Sequence, residues 1–186
     1  MRIIAGKNKG KKIEIPNDNK TRPLRDLVKE SIFNLIEHSN KLNVQILNCN
    51  ILDLFSGTGS FGLECYSRGA KFVTFVENYS EVLKILKKNI LVLEANKFSQ
   101  VIEKNCFDYL RFDKNLKDKF DIIFLDPPYK ENKINYLIDK IKDDKLLRDD
   151  GIIILHRHKR DSLKITAKLN ILDSRNYGIS KIVIGN

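Results

Sequence analysis

The chain has no tryptophan, one methionine, three cysteines and four prolines in 186 residues, and it has no long apolar run. Each scarcity excludes something. No stretch approaches the ~18 consecutive apolar residues that cross a bilayer, and the opening MRIIAGKNKGKK lacks the apolar centre of a signal peptide. A cytoplasmic protein with no membrane partner is therefore expected. Cys49, Cys65 and Cys106 are odd in number and share no CxxC spacing, which argues against a disulfide framework and against a structural zinc site. They read as small buried hydrophobes, with no metal expected. With 42% hydrophobic and 31% charged residues the composition is that of an ordered globular protein, and the length suits one domain with a short appendage.

Acidic residues are also in deficit, 24 against 34 basic, for a net charge of +10 and the electrostatic footprint of a protein with a polyanionic partner. The distribution says more than the total. Of the basic residues 25 are lysine, and Ile and Asn are abundant too, the composition an AT-rich coding bias would produce, so the total alone is weak evidence. Residues 1–25 nevertheless hold Arg2, Lys7, Lys9, Lys11, Lys12, Lys20, Arg22 and Arg25 against only Glu14 and Asp18, which is +6 and leaves +4 for the other 161 residues.

RIIAGKNKGKKIEIP predicts two short strands around a Lys-Asn-Lys-Gly turn. This makes residues 1–20 a basic β-hairpin arm ahead of a domain over 21–186. Thr21 can cap a helix with Pro23 in its first turn, and Leu24, Leu27, Val28, Ile32, Leu35 and Ile36 follow helical spacing. From residue 51 strands and helices alternate: ILDLF, FVTFVE, VIEKN, FDIIFLD and GIIILH as strands, FGLECYSRG, SEVLKILKKNILVLEAN, a segment near Tyr109 and NKINYLIDKIKDD as helices. Strands without polar alternation are buried on both faces, which implies a doubly wound, mostly parallel α/β sheet. AKLNILDS and YGISKIVIG predict two final strands, an antiparallel hairpin at the sheet edge.

Strand 51–55 runs into Ser56-Gly57-Thr58-Gly59-Ser60-Phe61-Gly62, so G-x-G-x-x-G stands at a strand-to-helix junction. A plain tight turn would give the same letters. Asp53, four residues before Gly57, would aim negative charge at the loop's ligand. A dinucleotide pyrophosphate fits that poorly, and an NAD-linked oxidoreductase is disfavoured further because no hydride-transfer acid or base is evident. S-adenosylmethionine carries an ammonium and a sulfonium and no phosphate, so an acidic strand end followed by glycines suits it. Phe55, Ser56, Gly57, Thr58 and Gly59 make up the candidate cofactor loop. Glu77, which closes the next strand, sits where such folds place the carboxylate that accepts from ribose hydroxyls, with Asn78 beside it. Asp108 can accept from the adenine amine, with Cys106 or Phe107 lining the ring, and can equally cap a helix, two roles that are compatible.

Asp126-Pro127-Pro128-Tyr129 directly follows the apolar strand FDIIFL. Two prolines at the end of a central strand give up both N–H donors, which packing alone does not require. Asp126 and Pro127 each precede a proline and are pushed extended, so the Asp carboxylate and the Pro127 carbonyl become rigid acceptors. An exocyclic amine on a nucleobase is a poor nucleophile because its lone pair is delocalised into the ring. Two fixed acceptors that grip both hydrogens favour a tetrahedral nitrogen and free that lone pair for in-line displacement. Pro128 completes the rigid turn, and Tyr129 can stack on an extruded base.

ILDLFSGTGSFGLE together with Asp126-Pro127-Pro128-Tyr129 resembles the Rossmann-like amino-methyltransferases of nucleic-acid bases, whose sheet has seven strands. Arg2-Ile3-Ile4-Ala5-Gly6, Gly10-Lys11-Lys12, Thr21-Arg22-Pro23 and Lys29-Glu30-Ser31-Ile32-Phe33-Asn34 are similar to the N-terminal signature of the RsmD-type 16S ribosomal RNA guanine-N2 methyltransferases, and Tyr177-Gly178 extends the likeness to the end. The resemblance implies methyl transfer from S-adenosylmethionine to N2 of one guanine in 16S rRNA, within the small ribosomal subunit or its assembly intermediate, by a monomer. It leaves Arg2, Lys7, Lys9, Lys11, Lys12, Arg22 and Arg25 to hold RNA. Adenine-N6 and cytosine-N4 enzymes share the tetrapeptide, so a DNA adenine-N6 methyltransferase is one alternative, although the chain leaves little room for a DNA-recognition module. A non-catalytic RNA-binding ribosome-assembly protein is the other. One departure stands out. Where relatives are expected to carry an acidic residue after the fifth strand, this chain has His156-Arg157-His158-Lys159-Arg160, readable as a basic rim for RNA phosphates, as a solvated strand end, or as two histidines on one face that lack a third metal ligand.

Overall fold

Every central strand carries apolar side chains on both faces, and this decides the layering. The computed structural model describes residues 1–16, 24–112 and 119–186. Strand β1 (Asn50–Leu54) sends Ile51 into one core and Leu52 and Leu54 into the other. β4 (Phe120–Leu125) and β5 (Leu147–His158) divide likewise, Phe124 and Ile154 to the first core and Leu125 and Leu155 to the second. The first core is covered by α1 (Asp26–His38), α2 (Ser60–Ser67) and α3 (Ser80–Val92), the second by α4 (Cys106–Phe112) and α5 (Ile134–Asp143). With β2 (Phe72–Val76), β3 (Ser99–Ile102), β6 (Ile171–Tyr177) and β7 (Ser180–Gly185), the strands form one seven-stranded sheet of order β3-β2-β1-β4-β5-β7-β6. β3, β2, β1, β4 and β5 run parallel, and β7 is antiparallel to both its neighbours. This is the doubly wound sheet with an antiparallel hairpin expected from the sequence, with β7 inserted between β5 and the outermost β6. All three cysteines are buried and free.

The halves of the basic N-terminal segment meet antiparallel over a short stretch, Ile3 N–H donating to the Lys11 carbonyl, Gly10 N–H to the Ile3 carbonyl and Ile13 N–H to the Met1 carbonyl, each at 2.9 Å. One isolated antiparallel bridge, Arg2 to Lys12, lies between them. Further bonds run to the domain. Ile3 and Ile13 are buried, the Ile4 and Ala5 N–H groups donate to the Glu64 carboxylate of α2 at 2.8 and 2.9 Å, and Lys7 N donates to the Ser67 carbonyl at 2.9 Å. Gly6 permits this approach: its φ is +80°, and a Cβ there would stand 1.9 Å from the Ser67 carbonyl oxygen. Glu64 is fully buried and also receives Arg68 Nε at 3.0 Å and the buried Lys29 ammonium at 3.4 Å. Asn89 of α3 exchanges hydrogen bonds with the Glu14 backbone at 2.9 and 3.0 Å and donates to the Thr58 carbonyl at 3.0 Å. The segment is thereby fastened to the same loop that follows β1. Thr21, Arg22 and Pro23 lie outside the described residues; the first helix, α1, begins at Asp26 after Arg25.

Candidate active site

β1 and β4 are neighbours whose following connections leave to opposite sides of the sheet, so a crevice opens at their carboxyl ends, where open α/β sheets hold ligands. A cavity of about 400 Å³ fills it, lined among others by Asp53, Glu77, Asp126, Tyr129, His156 and Ser180. Side-chain alternation explains the company. Asp53, Asp126 and His156 each follow a residue of the second core and so project from the opposite face, beneath α1–α3.

The glycine loop is wound tightly around the end of β2. Phe55 adopts φ +57°, unusual for a non-glycine residue, and its N–H donates to Cys106 Sγ at 3.3 Å. Ser56 gives its N–H and its hydroxyl to the Val76 carbonyl at 3.1 and 3.3 Å. Gly57 N–H donates to Glu77 Oε2 at 2.9 Å, while Oε1 accepts from Asn78 and Tyr79 N–H at 2.8 and 2.9 Å. A carboxylate has about four acceptor positions, so Glu77 keeps capacity for a hydroxyl from the cavity. Gly59, at φ +82°, is the N-cap of α2, and a Cβ on Gly62 would meet the Phe75 ring at 2.4 Å, so this glycine brings α2 flush against the sheet.

Asp53 is the electrostatic anomaly of the cavity. It is 1% exposed, its Oδ2 accepts Gly62 N–H at 3.0 Å, and its Oδ1 has no hydrogen-bond partner among the described residues. Burial pushes the carboxyl well above the usual carboxylate range; the Gly62 N–H opposes that shift, and the negative charges of Asp126 and Glu77 add to it. An orphaned buried acceptor of this kind can take an N–H donor that enters the cavity.

Of the loop and strand-end residues named from the sequence, Phe55, Ser56, Gly57, Thr58, Glu77 and Asn78 line the cavity, while Gly59 stands behind them as the helix cap. Cys106, Phe107 and Asp108 lie outside the lining. Cys106 braces Phe55 from behind, its thiol pushed up by burial, and the Phe107 ring meets that of Phe55 edge-on at 6.3 Å. Asp108 is exposed in the first turn of α4, and the cap is Asn105, whose Oδ1 accepts Phe107 N–H at 2.9 Å.

At the end of β4, Asp126 is partly and Pro127 fully shielded, Pro128 is exposed, and all line the cavity with Tyr129. His156 Nδ1 lies 2.7 Å from Asp126 Oδ1, and its Nε2 lies 2.8 Å from Ser180 Oγ. Arg157, 5% exposed, donates to the Pro128 carbonyl at 3.2 Å and the Tyr129 carbonyl at 3.1 Å and pairs with Asp161. His158 accepts from Arg160 N–H at 3.1 Å and presents its ring edge-on to Tyr129 at 5.3 Å. The reading of His156–Arg160 as an outward basic rim or strand end is therefore corrected for its first two members, which turn inward; Lys159 and Arg160 are exposed. The register carries the missed signal: Leu125 pairs with Leu155, so Asp126 and His156 emerge side by side, and Ser180, opposite His158 on β7, is the diagonal neighbour of His156. Of the basic candidates, Arg2, Lys7, Lys9, Lys11, Lys12 and Arg25 are exposed, Arg25 at the cavity mouth. Lys7 covers the Tyr66 ring at 3.7 Å, and Arg22 lies outside the described residues.

Among known proteins, a family model described as "Conserved hypothetical protein 95" matches residues 1–186. Ribosomal RNA small subunit methyltransferase D of Haemophilus influenzae is 34% identical over 180 residues, covering 96% of this chain and 90% of that one. The Escherichia coli protein of the same name is 30% identical over 163 residues, covering 88% and 77%. A solved E. coli structure described as "Putative methyltransferase yhhF" superposes with a TM-score of 0.84 at 27% identity, covering 100% of this chain and 96% of that one. The chain thus belongs to the Conserved hypothetical protein 95 family and is an RsmD-type methyltransferase.

Proposed function

We propose that this protein transfers a methyl group from S-adenosylmethionine to the exocyclic N2 of a guanine in 16S rRNA of the small ribosomal subunit. The observation that carries the reading is one cavity holding two differently placed acids: Asp53, deep and lacking a partner for Oδ1, and Asp126, at the end of β4 beside Tyr129. The first suits the ammonium of the donor, and Glu77 suits its ribose hydroxyls. Cys106, Phe107 and Asp108 are the candidates for the adenine side, one ring removed from the cavity wall. When bound, S-adenosylmethionine supplies an electrophilic methyl on a positively charged sulfur. Asp126 and the Pro127 carbonyl accept the two amine hydrogens, which localises the nitrogen lone pair and aims it. Tyr129 stacks on the extruded base, and the exposed basic residues of the N-terminal segment hold phosphates. The names of the H. influenzae and E. coli relatives support small-subunit rRNA over DNA. Work as a monomer in the cytoplasm, on the subunit or its assembly intermediate, belongs to the same proposal.

The test supplies methyl-labelled S-adenosylmethionine with naked 16S RNA, small ribosomal subunits lacking the modification, or DNA, then identifies the labelled nucleoside. N2-methylguanosine from RNA is expected, and Asp126→Ala should abolish it while retaining donor binding. N6-methyladenine from DNA, or RNA binding with no transfer at all, would replace this reading with one of its alternatives.

A further inference from the structure

A carboxylate that must present an acceptor to an amine faces a mechanical problem. Its terminal torsion is broad, and its two oxygens are equivalent until something distinguishes them. Here something does. Among the described residues Asp126 has one side-chain partner, His156 Nδ1 at 2.7 Å from Oδ1, and Oδ2 has none. The far side of the imidazole is anchored in turn, Nε2 to Ser180 Oγ at 2.8 Å, with His156 and Ser180 both buried. An ionised Asp126 accepts, so Nδ1 carries the proton, and Nε2 then takes the Ser180 hydroxyl hydrogen. The elements behind these groups are rigid. β4 and β5 pair in register through Leu125 and Leu155, and β5 and β7 pair from Ile153 to His158. The next residue of β5 fastens the rest of the loop, Arg157 reaching the carbonyls of Pro128 and Tyr129.

We propose that His156, anchored by Ser180, is a positioning residue that occupies Oδ1 of Asp126 and leaves Oδ2 aimed for the substrate amine. This rests on the reading above that Asp126 receives that amine. His156 does not touch the substrate nitrogen in this arrangement; it acts through Asp126. Its contribution belongs to the methyl-transfer step, because donor binding uses Asp53 and Glu77 and RNA binding uses the basic surface. A misplacement of about 1 Å can cost on the order of a hundredfold in rate, and losing one charge-assisted hydrogen bond costs about tenfold or more.

Four variants test it in the full-length protein, with small ribosomal subunits lacking the modification and methyl-labelled S-adenosylmethionine. His156→Ala and His156→Gln should lower kcat about tenfold to a hundredfold, with KM for subunits and Kd for S-adenosylmethionine within twofold of wild type. His156→Asn, whose amide nitrogen takes the place of Nδ1, should recover most of kcat, whereas the Gln amide reaches the Nε2 position and should not. Ser180→Ala should show a smaller loss of the same kind. His156→Ala with wild-type kcat, His156→Asn no better than His156→Gln, or a loss confined to Kd or KM would each overturn the proposal. Should His156→Ala fail to fold, the contrast between Asn and Gln still decides. Asp126→Ala separates the two layers: an active Asp126→Ala removes the underlying reading, while an inactive one beside a fully active His156→Gln removes only the role of His156.

Discussion

Replacing Asp53 by asparagine is expected to stabilise the ligand-free protein and to abolish its donor binding, and both effects have one origin. One oxygen of this buried carboxylate accepts Gly62 N–H at 3.0 Å, and the other has no partner among the described residues. An unsatisfied buried polar atom costs about 1–3 kcal/mol, and more when charged. The amide keeps an acceptor for Gly62 and, although its NH2 is as unpartnered as Oδ1, it removes the negative charge that burial and the charges of Asp126 and Glu77 penalise, so about 1–3 kcal/mol should return. For a chain of 186 residues that is roughly 2–12 °C in Tm. The pH dependence has a definite sign. Because the folded carboxyl is held above its ordinary value of 3.8, the unfolded chain releases that proton first, and ligand-free stability falls as pH rises from that value toward the raised one. The variant lacks this contribution. Circular dichroism melts of both proteins across acidic to neutral pH, with and without S-adenosylmethionine, measure all of it. At 100 times its Kd the ligand should add about 2.7 kcal/mol to the wild type and little to Asp53→Asn. A variant that melts below wild type without ligand, or that gains the full ligand shift, would refute the reasoning, since Oδ1 would then have been satisfied already or would not be the group the ligand satisfies.

Glu64→Ala should lose about 3–5 kcal/mol in urea unfolding, because the buried Lys29 ammonium is left without its buried partner. Amide exchange at Ile4 and Ala5 should quicken with it; a loss of about 1 kcal/mol or less, the size expected of an exposed ion pair, would mean that Lys29 is held by other groups. Reversing charge at Lys9, Lys11 and Lys12 should flatten the log–log salt dependence of RNA binding by about 0.7 for each phosphate no longer neutralised. An unchanged slope would take this surface out of the RNA interface.

The fold was legible because its signal is local. ILDLF, FDIIFL and GIIILH are apolar at successive positions, which a strand tolerates only when both faces are covered, and all three became central strands of the sheet. The glycine loop and Asp126-Pro127-Pro128-Tyr129 were legible for a similar reason, since each is a contiguous run whose backbone constraints can be read residue by residue. Asp108 shows the limit. Its cap reading failed by three positions, because Asn105 offers the same chemistry at the actual start of α4. His156 and Arg157 show a deeper limit. As letters they are basic and polar, and a strand end is an ordinary place for solvated charge. Their inward turn depends on registers set between segments distant in sequence, Leu125 against Leu155 and His158 against Ser180, which no local pattern records.

The same distinction changes what the basic excess means. Lys29 and Arg157 count toward the net charge, yet they are buried and spent on Glu64, Asp161 and backbone carbonyls, so they offer nothing to a polyanion. Arg2, Lys7, Lys9, Lys11 and Lys12 are exposed, but the backbone beneath them is pinned by Glu64, Ser67 and Asn89. A swinging arm would lose freedom on gripping RNA, at about 0.5–1.5 kcal/mol for each long side chain and more for the backbone. This segment has surrendered its backbone share in folding. Asn89 joins it to Thr58 of the cavity loop, so phosphates held by these side chains would lie at a fixed offset from Asp126, and the offset would help choose which base reaches the cavity.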